Sequence, residues 1–348
     1  QIITTTYIDD YRTVMNLMLP YYSEITVKET MFSMIFKADT IEINQPLDLS
    51  IFELPLTKVI DYYFPENVKD ITIPFEYRLG HIRLPLVING TKKVWVILDS
   101  GASASIFHKP VIDKLDFEVI GKMPAMGVSG FNEVDLIQTD SVQIGNLTLY
   151  NHVAGVIDLG KFSDGSNGEL DFGGIIGYNF LSRFPVLINY QDSTLTVFNP
   201  AQFEPPEGGE EISFHLMMQV PTIEGEILGI KGNFLVDLGN SFGLVLHKQF
   251  ALQNRLEEIL SDIKDNPRLL GGVSGSVSGK NAFAATFKMG NILIQSLRVL
   301  LPDSTQGITG SSTLAGNIGN LVLENFTVLF DYPNSRIFFY QTDSKMGN

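Results

Sequence analysis

An apolar run that ends on an aspartate and a glycine turn occurs twice in this chain. The first is Val94-Trp95-Val96-Ile97-Leu98-Asp99-Ser100-Gly101-Ala102 and the second Asn233-Phe234-Leu235-Val236-Asp237-Leu238-Gly239-Asn240. The likeness continues downstream. Ile106-Phe107-His108-Lys109 matches Val245-Leu246-His247-Lys248, and Val128-Ser129-Gly130 matches Val273-Ser274-Gly275. Gln143-Ile144-Gly145-Asn146-Leu147 matches Lys288-Met289-Gly290-Asn291-Ile292, and Phe184 to Tyr190 matches Phe326 to Tyr332. The aspartates lie 138 residues apart, the two middle blocks 145 and the last block 142. A period this long and this steady describes a duplicated domain, because solenoid repeats run only about 20 to 50 residues. Each half then delivers one carboxylate to an equivalent place.

The 348 residues exceed what one core usually holds. Four segments are expected: an N-terminal extension over 1–70, a first lobe over 71–200, a linker at 201–209 and a second lobe over 210–348. The linker rests on Pro200, Pro205, Pro206, Gly208 and Gly209 with little that can be buried. Within the lobes short apolar strands follow one another, such as 71–77, 81–88 and 94–98, with Asn89-Gly90 as a hairpin signal. Residues 11–19 read as a short amphipathic helical turn, 30–43 as strand, and 248–263 as a helix with Leu252, Leu256, Ile259, Leu260 and Ile263 at helical spacing. The class is mainly β.

Charge and composition exclude several functions. Twenty-four basic against 39 acidic residues give a net charge of −15, which opposes binding to nucleic acid or an anionic membrane. The absence of cysteine removes thiolate nucleophiles, disulfides and Cys-ligated zinc. No run approaches the ~18 apolar residues of a membrane span. The first residue is Gln1, compatible with removal of an export signal, so a periplasmic or extracellular location is expected over a cytoplasmic one. His108 and His247 recur in register but have no acidic partners at ligand spacing, so no metal is expected. No cofactor motif stands out; the glycine-rich stretch from Gly168 to Gly177 lacks the Lys-Ser/Thr of a phosphate loop.

An aspartate at the end of a buried strand is costly to ionise, and a second carboxyl beside it raises the cost, because like charges cannot both ionise at close range. A pair that shares one proton holds a water between a base and an acid and needs no metal or covalent intermediate. Asp99-Ser100-Gly101-Ala102, followed by Ile175-Ile176-Gly177, resembles the active-site signature of aspartic proteases of the pepsin and retropepsin type. Residues 71–198 are especially similar to the bacterial single-chain, retropepsin-like members, and the resemblance extends more weakly to 340. It implies two homologous β-barrel-like lobes with a cleft between them. It also implies Asp99 and Asp237 as the dyad, a polypeptide substrate, and a monomer, since both carboxylates come from one chain. Ser100, Gly101, Ala102, Leu238, Gly239 and Asn240 are the supporting loop residues. Gly127, Val128, Ser129, Gly130 and Phe131, with Val273, Ser274 and Gly275, are placed as flaps, where glycine permits a mobile hairpin.

The second motif departs from the pattern. Family members place Thr or Ser after the aspartate to lock the two loops together, and Leu238 has no polar atom with which to do so. Ser100 is then without its symmetric partner, and Asn240 is the candidate to compensate by donating to a carboxylate. Asn317-Ile318-Gly319 likewise begins with asparagine where the pattern has an apolar residue. Three functions fit: an aspartic endopeptidase, a peptide-binding protein on the same scaffold with impaired catalysis, and a glycosidase whose paired carboxylates stand ~5 Å or more apart. The residues do not assign the base within the dyad, because coupled groups titrate as a pair.

Overall fold

A computed structural model of the chain describes residues 4–27, 33–46, 48, 60–127, 130–160, 170–272, 275–305 and 307–341. The chain divides into two compact units, Gln1–Ile60 and Asp61–Asn348. The first holds a three-stranded antiparallel sheet of Thr4–Val14, Leu17–Val27 and Ser33–Lys37 in chain order. Residues 11–19 are therefore a hairpin and not the expected helical turn. Met15 and Asn16 take φ of 48° and 68°, the left-handed pair that a tight hairpin needs, while the flanking Tyr and Thr residues favour strand.

The second unit is built almost wholly of strands, so the mainly β expectation holds. The segment Lys92–Leu98 runs antiparallel to His81–Ile88 and parallel to Asp171–Ile176 in a nine-stranded sheet. Its hairpin turns at Asn89-Gly90, with φ of 48° and 66°. An eight-stranded sheet repeats the arrangement: Ile230–Val236 runs antiparallel to Val220–Ile227 and parallel to Gly316–Ile318. Residues 199–209 carry no helix or strand.

A six-stranded sheet joins the halves, in the order Glu210–Ser213, Arg336–Gln341, Phe326–Asp331, Pro185–Asn189, Thr194–Phe198, Asp70–Pro74. At its centre Leu187 pairs with Leu329, Val186 with Phe330 and Ile188 with Val328. Leu187 and Leu329 occupy matching positions of the repeat, so the seam is symmetric about that one pair. Phe107, Phe180, Phe184, Phe234, Phe287 and Phe330 are fully buried in the main apolar core, and Trp95 is buried in a smaller cluster with Ile97 and Phe172.

The helix expected over 248–263 is confined to Lys248–Gln253. Arg255 adopts φ 50°, a 3-10 turn covers Leu256–Glu258, and the chain continues as the strand Ser261–Gly272. Leu252 and Ile259 are more than half exposed, so the helical spacing of apolar residues did not correspond to one buried face. No helix among the described residues is long and apolar enough to cross a membrane.

Candidate active site

Each aspartate stands where a buried strand ends. Val94, Val96 and Leu98 are fully buried on one face of the first strand, and Phe234 and Val236 on the second. The parallel neighbour then captures the next backbone amide: Asp99 N–H donates to Ile176 O at 3.0 Å and Asp237 N–H to Ile318 O at 2.9 Å. The chain turns at once, with Ala102 N–H donating to Asp99 O and Asn240 N–H to Asp237 O. The turn also aims each carboxylate, because Gly101 N–H donates to Asp99 Oδ1 at 2.7 Å and Gly239 N–H to Asp237 Oδ1 at 3.0 Å.

The glycines bring the carboxyl groups together. A Cβ on Gly101 would fall within 3.0 Å of the Asp237 carboxyl carbon, and one on Gly239 within 3.0 Å of every carboxyl atom of Asp99. Real Cβ contacts are essentially never that short. Each half therefore seats its glycine against the other half's aspartate, and the two carboxyls lie within hydrogen-bonding range of one another. That proximity overturns the glycosidase reading, which needs its two acids ~5 Å or more apart.

Protein packed around the pair sets its electrostatics. Burial pushes the Asp99 carboxyl up, the neighbouring Asp237 charge adds to the rise, and its pKa reaches about 8. Burial also raises Asp237, opposed by the side-chain amide of Asn317 and the backbone amides of Gly239 and Asn240. The buried Tyr332 hydroxyl, close enough to sense both aspartates, is driven well above its ordinary value, chiefly by burial.

The lock between the loops is asymmetric. Ser100 Oγ donates to Val236 O at 2.7 Å and accepts from Leu238 N–H at 2.9 Å, so one hydroxyl reaches across both ways. Leu238 returns no such bond, and its side chain is fully buried in the apolar core. Asn320 acts at this point instead. Its Nδ2 donates to Leu238 O at 2.6 Å and to Gly80 O at 2.8 Å, while Tyr190 Oη donates to its Oδ1 at 2.7 Å. The matching residue in the first half is Tyr178, which instead packs edge-on against Tyr332 at 6.0 Å between ring centroids.

The expected role of Asn240 requires correction. Its side-chain Oδ1 accepts from Phe242 N–H and its Nδ2 donates to Asn317 O, so the side chain braces its own turn. Asn317 supplies the carboxylate contact, with Nδ2 donating to Asp237 Oδ2 at 2.8 Å. The sequence flagged Asn317 as out of pattern without giving it a task. Asn320 and Tyr190 carried no signal, since their partners lie far off along the chain.

Gly127 pairs with Gly130 at the end of the hairpin Val119–Gly127 and Gly130–Ile144, and Gly272 pairs with Gly275 at the end of Ser261–Gly272 and Gly275–Met289. Val128, Ser129, Val273 and Ser274 lie outside the described residues, as does the Phe131 side chain. His108 and His247 each precede a short helix; His108 Nδ1 accepts from Leu159 N–H. Among the described residues no three His, Cys, Asp or Glu side chains gather as a metal site.

Comparison with known proteins agrees with this geometry. The family model described as aspartyl protease matches residues 84–180. The structure is similar to that of the aspartic proteinase from Irpex lacteus, with a TM-score of 0.51 at 12% identity over 80% of this chain and 100% of that one. The fold is that of an aspartic protease. No curated protein matches the sequence. The family match covers the first aspartate and the Ile175-Ile176-Gly177 strand, whereas the second half resembles known proteins through its fold.

Proposed function

We propose that this chain is an aspartic endopeptidase of the single-chain, retropepsin-like kind, with an internally duplicated core and one dyad aspartate from each half. The observation that carries the proposal is the reciprocal seating of Gly101 and Gly239 against the opposite carboxylates. Two carboxyls so placed cannot both ionise, so the pair holds one proton over the range between its two titrations. A water between them loses a proton to the ionised carboxylate while its oxygen bonds the scissile carbonyl carbon. The other carboxyl gives its proton to the carbonyl oxygen. The resulting diol collapses as the amine nitrogen takes the proton from the first carboxyl, the C–N bond breaks, and a hydroxyl proton returns to the second. Every proton is accounted for within the dyad, and a polypeptide binds as an extended strand beneath the two glycine-tipped hairpins.

A peptide-binding protein with impaired catalysis is the second reading, favoured by the buried Leu238. Digestion of an unfolded protein mixture from acid to neutral pH, with fragments read by mass spectrometry, separates the two. The peptidase loses all cleavage in Asp99→Asn and in Asp237→Asn. A binder cleaves nothing in any form yet retains affinity for an extended peptide.

A further inference from the structure

We propose that Asn317, held in place by His247, is a positioning residue that makes Asp237 the ionised member of the dyad and leaves the shared proton on Asp99. The role of base that this gives Asp237 rests on the peptidase reading; the location of the proton does not.

The backbone supports each carboxylate with two amides, those of Gly101 and Gly239 on Asp99 and those of Gly239 and Asn240 on Asp237, and in each turn a glycine N–H donates to Oδ1. The carboxylates differ in what the neighbouring strand supplies. In the first half that position is Ile175, which packs in an apolar cluster with Trp95, Ile97, Leu159 and Phe172. In the second half it is Asn317, whose Nδ2 donates to Asp237 Oδ2 at 2.8 Å and whose Oδ1 lies 2.7 Å from His247 Nε2. Asn317 and His247 are both buried.

The orientation of the amide follows from its partners. Turned over, Asn317 would set an oxygen against a carboxylate and a nitrogen against the ring, and two acceptors would face each other. Its oxygen must therefore accept, so His247 Nε2 carries the hydrogen and the imidazole is a fixed donor. Burial pushes the His247 pKa down to about 4, and Nε2 keeps its hydrogen in either protonation state. A donor aimed at a carboxylate stabilises its charged form. Asp99 receives no matching side-chain donor from Ile175. The titratable groups that act on Asp237 from neighbouring elements are Asp99 and Tyr332, and neither distinguishes the carboxylates as Asn317 does.

The test reads the two carboxyls separately. Carbon-13 NMR titration of the full chain labelled at the aspartate carboxyl carbons, with signals assigned by their loss in Asp99→Asn and Asp237→Asn, gives the order of ionisation. Asp237 titrates at the lower pH. In Asn317→Ala its midpoint rises by about one pH unit, the size expected for loss of one charge-assisted hydrogen bond. The acid limb of the kcat/KM profile moves upward with it. His247→Leu shifts both in the same direction, and His247→Gln restores part of the change, because a glutamine amide donates in place of Nε2. Asp99 titrating first in the intact chain overturns the proposal, whether or not the Asn317 and His247 variants fold. So does an unmoved lower midpoint in an Asn317→Ala protein whose unfolding matches the intact chain. A chain that cleaves no peptide while Asp237 ionises first supports the assignment and removes the peptidase reading.

Discussion

Replacing Asn320 by alanine tests whether its amide does the work that a hydroxyl at position 238 would otherwise do. The substitution removes the donor that serves Leu238 O and Gly80 O and the acceptor for Tyr190 Oη. Leu238, Asn320 and Tyr190 are all buried, so the Leu238 carbonyl and the Tyr190 hydroxyl lose their partners with little access to water. Each such loss costs ~1–3 kcal/mol. Gly80 is less buried and turns to solvent at small cost. The net destabilisation is then about 2–6 kcal/mol, which at a urea slope of ~2–3 kcal/mol per molar lowers the midpoint by roughly 1–3 M. Tyr190→Phe removes a single bond and gives a shift of about 1 kcal/mol. Displacement of the Leu238 loop also moves Asp237, and kcat falls by ~10- to 100-fold. The assays are urea unfolding followed by circular dichroism, and peptide cleavage under native conditions. A loss below ~1 kcal/mol in Asn320→Ala, with kcat unchanged, would falsify the claim that this amide ties the halves together.

Three further expectations follow from the same geometry. Gly101→Ala and Gly239→Ala each force a methyl into the opposite carboxylate, so peptide cleavage drops by ~100-fold or more while the far-ultraviolet spectrum persists; normal kcat in either refutes the packing. The Asp99 carboxyl has a folded pKa of about 8 against an ordinary 3.8, so the folded state holds a proton that the unfolded chain has already lost; its contribution to stability is present below about pH 4, lost as pH rises toward 8, and absent from Asp99→Asn, whose stability curve is flatter over that window. Thermal unfolding at successive pH values checks this, and parallel curves for the two proteins contradict it. Leu238→Thr destabilises by about 2 kcal/mol, since it removes buried apolar volume and sets a hydroxyl in a core position; a gain in stability would mean that the threonine finds a partner and restores the symmetric lock.

The parts of the site visible in the sequence are those made by neighbours along the chain. An apolar strand running into Asp-x-Gly announces its own burial, turn and carboxylate, and its recurrence places two of them together. The Asn89-Gly90 hairpin was legible for the same reason. Side-chain contacts that span the molecule were not: Asn320 meets Gly80, 240 residues away in the chain, and Asn317 meets His247 across 70. Where local pattern misled, tertiary context explains why. The spacing in 248–263 imitated a helix, but Arg255 turned the chain left-handed and the segment joined a sheet edge. Residues 11–19 resembled a helical turn until Met15 and Asn16 closed a hairpin.

The seam at Leu187 and Leu329 has a consequence for how the protein is made. The inner edge of Pro185–Asn189 has no partner until Phe326–Asp331 has been synthesised. At ~5–20 residues per second that interval is roughly 7 to 30 s. During it the nascent first half presents an open row of backbone donors and acceptors, a template for pairing with another chain. Ribosome-bound chains halted before residue 326 are therefore the stage at which this protein is most prone to aggregate, and a fragment carrying residues 205–341 supplied in trans is the natural cap for that edge.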